Sequence, residues 1–142
     1  MTLAARIALI VLPFAMTASL HGQITMRAGL WENTVTASGQ TVKRNSCITP
    51  EQEQQSKASV DSMRKSTEKS LAKTGACKLK EFTVTGGTQT MVMVCGETSI
   101  KHVTTFHTDS FETSATATTP EGVKVSLIKG RRIGECPAGG VK

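Results

Sequence analysis

From Cys77 on, the chain runs in strand-like segments of roughly seven to ten residues, with apolar and β-branched positions set between turn signals. Val, Ile and Thr fill these runs, and Gly86-Gly87, Gly96-Glu97, Asp109-Ser110 and Pro120-Glu121-Gly122 mark the corners. The pattern predicts strands over Cys77–Thr85, Thr88–Cys95, Ile100–Thr108, Phe111–Thr118 and Val123–Lys129. Sequence neighbours usually pair, so an antiparallel meander is the expected topology. Upstream, Leu30, Glu32, Thr34 and Thr36 fall on one side of an extended chain, and Trp31, Asn33, Val35 and Ala37 on the other. Ser38-Gly39 supplies a turn, and Thr41 to Cys47 reads as the returning strand.

Between these β regions the period changes. Thr49 can cap a helix, Pro50 suits its first position, and Gln52 completes a capping box. From Pro50 to about Thr74 there is no glycine and no second proline, and Gly75 offers a stop. Val60, Met63, Thr67 and Leu71 recur at spacings of three to four, a thin stripe that predicts one helix over about 50–74 lying on the sheet by one edge. Lys57, Arg64, Lys65, Lys69 and Lys73 suit the negative end of the helix dipole better than they make a binding patch. The fold class expected is α+β: a curved antiparallel meander of about seven strands with one helix packed on it.

Four cysteines constrain this picture further. A three-residue loop Thr85-Gly86-Gly87 sets Val84 against Thr88, Phe82 against Thr90 and Leu79 against Met93, and it brings Cys77 opposite Cys95. A two-residue Gly-Gly loop would instead place Cys95 opposite Lys78 and the sulfurs on opposite faces. Bridge geometry needs converging Cβ atoms, so the longer loop and a Cys77–Cys95 disulfide support each other. That leaves Cys47 for Cys136, although four cysteines allow three pairings. A four-thiolate zinc site is the competing reading, and there is no Cys-x-x-Cys knuckle to favour it.

Composition then sets the compartment and narrows the partners. Arg6, the apolar run Ile7–Leu12 and small residues from Ala15 to Ser19 have the three parts of an export signal, read as residues 1–22, with one domain over 23–142. The apolar run is too short to span a bilayer, and no cysteine follows it closely enough for a lipid anchor. A periplasmic or secreted, disulfide-stapled monomer without a transmembrane segment is expected. The net charge is +6, but lysines are scattered among acids, and there is no tyrosine and a single tryptophan. Nucleic-acid binding through stacked aromatics is therefore not expected.

The candidate chemistry is sparse. His102 and His107 lie an odd number of residues apart on one strand, so they point to opposite faces and do not share a metal. No Gly-x-Ser-x-Gly elbow and no phosphate-cradling loop leading into a helix is present. Neither enzyme activity nor a cofactor is expected. Two features remain. In Thr90-Met-Val-Met-Val-Cys95 both faces of one strand are apolar, as in a strand between two layers or beside a cavity. Arg131 and Arg132 end the last strand and suit a carboxylate or phosphate, with Glu32 and Glu135 as internal alternatives.

Ala28-Gly-Leu-Trp-Glu32, Ser46-Cys-Ile-Thr-Pro-Glu51, the Cys77 to Cys95 hairpin and Gly130-Arg-Arg-Ile-Gly-Glu-Cys136, in that order, resemble the bacterial exported family known as domain of unknown function 3617. The resemblance covers nearly all of the chain after the signal. It implies an exported four-cysteine envelope domain and supplies no catalytic residue. The functional expectation is a non-enzymatic binding or accessory protein holding an apolar or anionic envelope ligand. Trp31, Met91 and Met93 are its expected apolar contacts, and Arg131 and Arg132 its polar ones. The alternative is a structural or protein-interaction module of the cell envelope.

Overall fold

A computed structural model describes residues 24–140. The expected export signal at 1–22 lies outside the described residues. Seven strands form one antiparallel sheet: β1 Gly29–Ala37, β2 Gln40–Ile48, β3 Lys78–Thr85, β4 Thr88–Cys95, β5 Thr98–Phe106, β6 Ser110–Thr119 and β7 Gly122–Gly134. Their order is β2-β1-β7-β6-β5-β4-β3. Thus β3 to β7 make a meander, and the β1–β2 hairpin docks onto its last strand through β1. The α+β class and the seven-strand reading both stand.

The order puts β2 and β3, which are consecutive along the chain, at opposite edges. Six interstrand steps separate them, about 29 Å at the usual spacing. Two helices span that distance, α1 Pro50–Ser56 and α2 Val60–Thr74, with lengths of about 10 and 22 Å at the usual rise. The single helix expected over 50–74 is thus broken in two. Ser59 is the reason: it takes extended backbone, and its hydroxyl accepts the Ser62 amide at 3.2 Å, starting a second helix where the first ends at Lys57. The first start is the expected capping box, with Gln52 N donating to the Thr49 hydroxyl and Thr49 N to Gln52 Oε1. Val60, Met63, Thr67 and Leu71 are half-buried among exposed neighbours, as their stripe requires. The Ala28 amide donates to Glu53 Oε2 at 2.8 Å, and this bond, with Lys57 beside it, holds the Glu53 carboxyl below its ordinary range.

Both disulfides are present, Cys77–Cys95 and Cys47–Cys136. The route to the first differs from the expected one. Thr85 pairs with Thr88 and Phe82 with Met91, so the turn is the two-residue Gly86-Gly87. Both glycines have positive φ, 57° and 77°, as the tight primed hairpin turn demands. The missing residue is recovered inside β3, where a bulge between Leu79 and Glu81 takes up Lys80. Leu79 then meets Met93, as the longer loop would also have arranged, and the cysteines converge.

The sheet has two unlike faces. Cross-strand partners share a face, so the register places Trp31, Phe82, Phe106, Phe111, Met91 and Met93 together. All four aromatic residues of the described chain are in that set. Trp31 is 0% exposed and Phe82 2%, and Thr113 beside them is buried with its hydroxyl 2.8 Å from that of Thr104. This is the covered face. Ile24 is also buried, Trp31 Nε1 donates to the Arg27 carbonyl at 3.0 Å, and α2 packs on the edge strand β3. Phe111 stacks between Trp31 and Phe106, with centroids 5.9 and 6.2 Å away, and its ring lies over Gly130. A Cβ on Gly130 would overlap that ring, so this strand position needs glycine. Gly130→Ala is expected to cost about 1–3 kcal/mol through overpacking. Gly134→Ala, where a Cβ meets nothing, serves as the near-neutral control in thermal unfolding.

Candidate functional site

The opposite face carries small and polar side chains. One row across all seven strands reads Thr83, Thr90, Val103, Ser114, Leu127, Thr36 and Thr41. No aromatic residue of the described chain lies on this face. Along β7 the alternation brings Val123, Val125 and Leu127 out beside one another, 63%, 53% and 48% exposed, followed by Lys129 and Arg131. These five side chains span eight residue steps of one strand, about 27 Å at the usual rise. An apolar stripe on a central strand is not the normal state of a sheet face, because burial of such side chains is what holds sheets to other layers.

Two adjoining depressions lie on this face. One, about 350 Å³, is lined by Glu32, Thr34, Ser110, Glu112, Lys129 and Arg131, with His107 from the β5–β6 turn at its rim. The other, about 310 Å³, is lined by Val103, Thr105, Ser114 and Leu127 and shares Glu112 and Lys129 with the first. Volumes near 300 Å³ are at the small end of ligand sites. The charged end is internally paired: Arg131 reaches Glu32 at 3.3 Å, Lys43 approaches the same carboxylate at 3.6 Å, and Lys129 meets Glu112 at 3.0 Å. These pairs are largely exposed and hold little stability on their own, so they are free to exchange partners with a ligand.

The residues singled out from sequence are divided between the two faces. Trp31 is fully buried against Phe111 and has no surface to offer a ligand. Met91 and Met93 are half-buried on the covered face, beside Phe82 and Leu79, while Val92 and Val94 point to the open one. The doubly apolar strand therefore has one face toward the core and one in the open sheet. Arg132 also turns to the covered side, where Nε donates to the Ala28 carbonyl at 2.8 Å and the guanidinium pairs with Glu135. Arg131 alone of the five reaches the open depression. Adjacent residues on a strand point apart, and the arginine pair is split accordingly.

His102 is partly buried on the covered face opposite Met91, and burial pushes its imidazole below the ordinary range. His107 lies outside β5, at the open depression. Among the described residues no group of three His, Cys, Asp or Glu side chains is arranged to hold a metal. No helix of the described chain is long and apolar enough to cross a membrane. Val123, Val125 and Leu127 are not singled out by the sequence. Their alternation was visible, but which side of β7 would be left uncovered was not.

Fold and site together define an α+β domain: a disulfide-stapled antiparallel sheet with one aromatic, covered face and one open face of threonine and valine. The chain belongs to the family described as protein of unknown function (DUF3617), whose model matches residues 26–136. No curated protein and no solved structure matches it.

Proposed function

We propose that this chain is an exported, non-enzymatic binding or accessory protein of the cell envelope, and that its open face holds the apolar part of an envelope ligand. The carrying observation is the uncovered Val123-Val125-Leu127 stripe on β7, which runs into the paired charges of Glu32, Arg131, Glu112 and Lys129. An amphipathic molecule laid along this strand would place its chain on the valines and leucine and its polar end among those pairs. Two disulfides in a small domain, and the charged-then-apolar start of the chain, support export to an oxidising compartment. The contacts proposed for the ligand move accordingly from Trp31, Met91 and Met93 to Val125, Leu127 and Arg131.

The test is native mass spectrometry of the purified protein after incubation with a total lipid extract from bacterial envelopes. A retained lipid is expected, and Val125→Lys or Leu127→Lys should lower its occupancy at least tenfold. Val42→Lys, at an exposed position on the other side of the sheet, should leave it unchanged. A lipid-free spectrum, or lipid retained equally by all three variants, would overturn the reading.

A further inference from the structure

The two edges of the sheet differ in a way that selects a partner. The β3 edge is guarded: α2 lies against it, Arg64 Nη2 donates to the Phe82 carbonyl at 3.0 Å, and the bulge at Lys80 interrupts its line. Each of these is a known device against strand addition. The β2 edge carries none of them. Its nine residues pair with β1 without a register shift, and Gln40 to Ser46 are exposed throughout. Among the described residues, no turn or side chain hydrogen-bonds the backbone from Gln40 to Cys47. The strand is held firmly from behind, by the β1 ladder and by the Cys47–Cys136 bridge at its end. It is therefore a pre-ordered template whose outer row of donors and acceptors is unpaired among the described residues.

Charge decides what fits it. Gln40–Ile48 contains no acid, and its centre is Lys43 on the open face and Arg44 on the covered side. Arg44 makes no ion pair among the described residues, and Lys43 shares Glu32 with Arg131. A strand added alongside would set its side chains beside these two cations, one on each face. A second copy of this chain fits poorly, since full antiparallel overlap of two β2 strands sets Arg44 against Arg44. We propose that β2 is a strand-addition site for an extended, acidic segment of a partner protein. Main-chain hydrogen bonds supply the affinity there, and Lys43 with Arg44 supplies the selectivity. This site adjoins the proposed ligand site through the Lys43–Glu32 pair, but Arg44 lies on the opposite face, and peptide binding at the edge can fail or succeed whatever the open face holds.

The probe is a fluorescent, acetylated nonapeptide of alternating threonine and valine carrying two central glutamates, with a two-lysine counterpart. Polarisation with the full chain should show at least tenfold tighter binding of the glutamate peptide. Arg44→Gln, which leaves Lys43, should weaken that preference, and Arg44→Glu should abolish it; circular dichroism would verify that both variants are folded. Hydrogen exchange should slow at alternate β2 amides on adding the peptide. Equal affinity for the two peptides, a preference unmoved in a folded Arg44 variant, or protection at β3 or β7 instead would overturn the proposal. Failure of the glutamate peptide, together with phosphatidylglycerol vesicles that bind through Lys43 and Arg44, would assign the edge to a membrane surface and overturn it equally.

Discussion

Replacing Cys47 and Cys136 together by alanine is expected to lower stability by about 4–5 kcal/mol in the loop-closure account. The bridge spans 89 residues, against 18 for Cys77–Cys95, and long closures remove more freedom from the unfolded chain. It also does something the short bridge does not. Cys47 ends β2, Cys136 follows β7, and β1 lies between these two strands. The cross-link therefore clamps the one place where the sheet joins segments far apart in sequence. Scanning calorimetry should record a fall in Tm of roughly 15–20 °C, given the usual conversion for a domain of this size. Removing Cys77 and Cys95 should cost less, about 3 kcal/mol, because that hairpin is already closed by a tight turn. A larger loss from the short bridge would show that the bulged hairpin, and not the junction of the chain's two ends, is the weak point of the fold.

Trp31→Ala is expected to cost about 3–5 kcal/mol, in the range for deleting a large buried aromatic. Trp31 has no exposed surface and packs on Phe111, whose ring in turn lies over Gly130 and against Phe106. Its loss would leave a cavity beside Phe111 and leave the Arg27 carbonyl without the indole N–H it accepts. Only Ile24, Trp31 and Phe82 are buried apolar side chains among the described residues, so this core has little in reserve. Urea unfolding followed by circular dichroism is the measurement, since the variant loses the chain's single tryptophan as a fluorescence probe. Trp31→Phe keeps the ring and loses the hydrogen bond, and should recover more than half of the loss. A cost below about 1 kcal/mol for the alanine variant would mean that the aromatic cluster is not the core.

What could be read from sequence here was local. Thr49-Pro50-Glu51-Gln52 specified a helix start because capping involves only those residues. Each glycine-marked corner is a turn, and the cysteine pairing is as expected although the register that suggested it is not. The bulge at Lys80 leaves no mark in the sequence, because a three-residue loop and a two-residue loop with a bulge bring Cys77 to Cys95 equally well. Only the residues between, such as Phe82 against Met91, distinguish them. Ser59 is a cap without a following glutamate or a preceding breaker, so the local pattern does not set it apart from helix interior. The site was the least legible part. Alternation says which residues share a face, but not which face the helices will cross. That choice separated Trp31, Met91, Met93 and Arg132 from Arg131, and left Val123, Val125 and Leu127 in the open.

The docking of β1 onto β7 has a consequence for a chain that emerges amino end first. Strands β3 to β7 can each pair with the strand made just before, because short turns join them. β1 has only β2 to pair with until β7, the final strand, has been delivered. During that interval both sides of the first hairpin are unpaired edges, and the helices have nothing to span. The segment made first thus finds its second partner only when the last strand arrives, and the Cys47–Cys136 bridge lies at that junction.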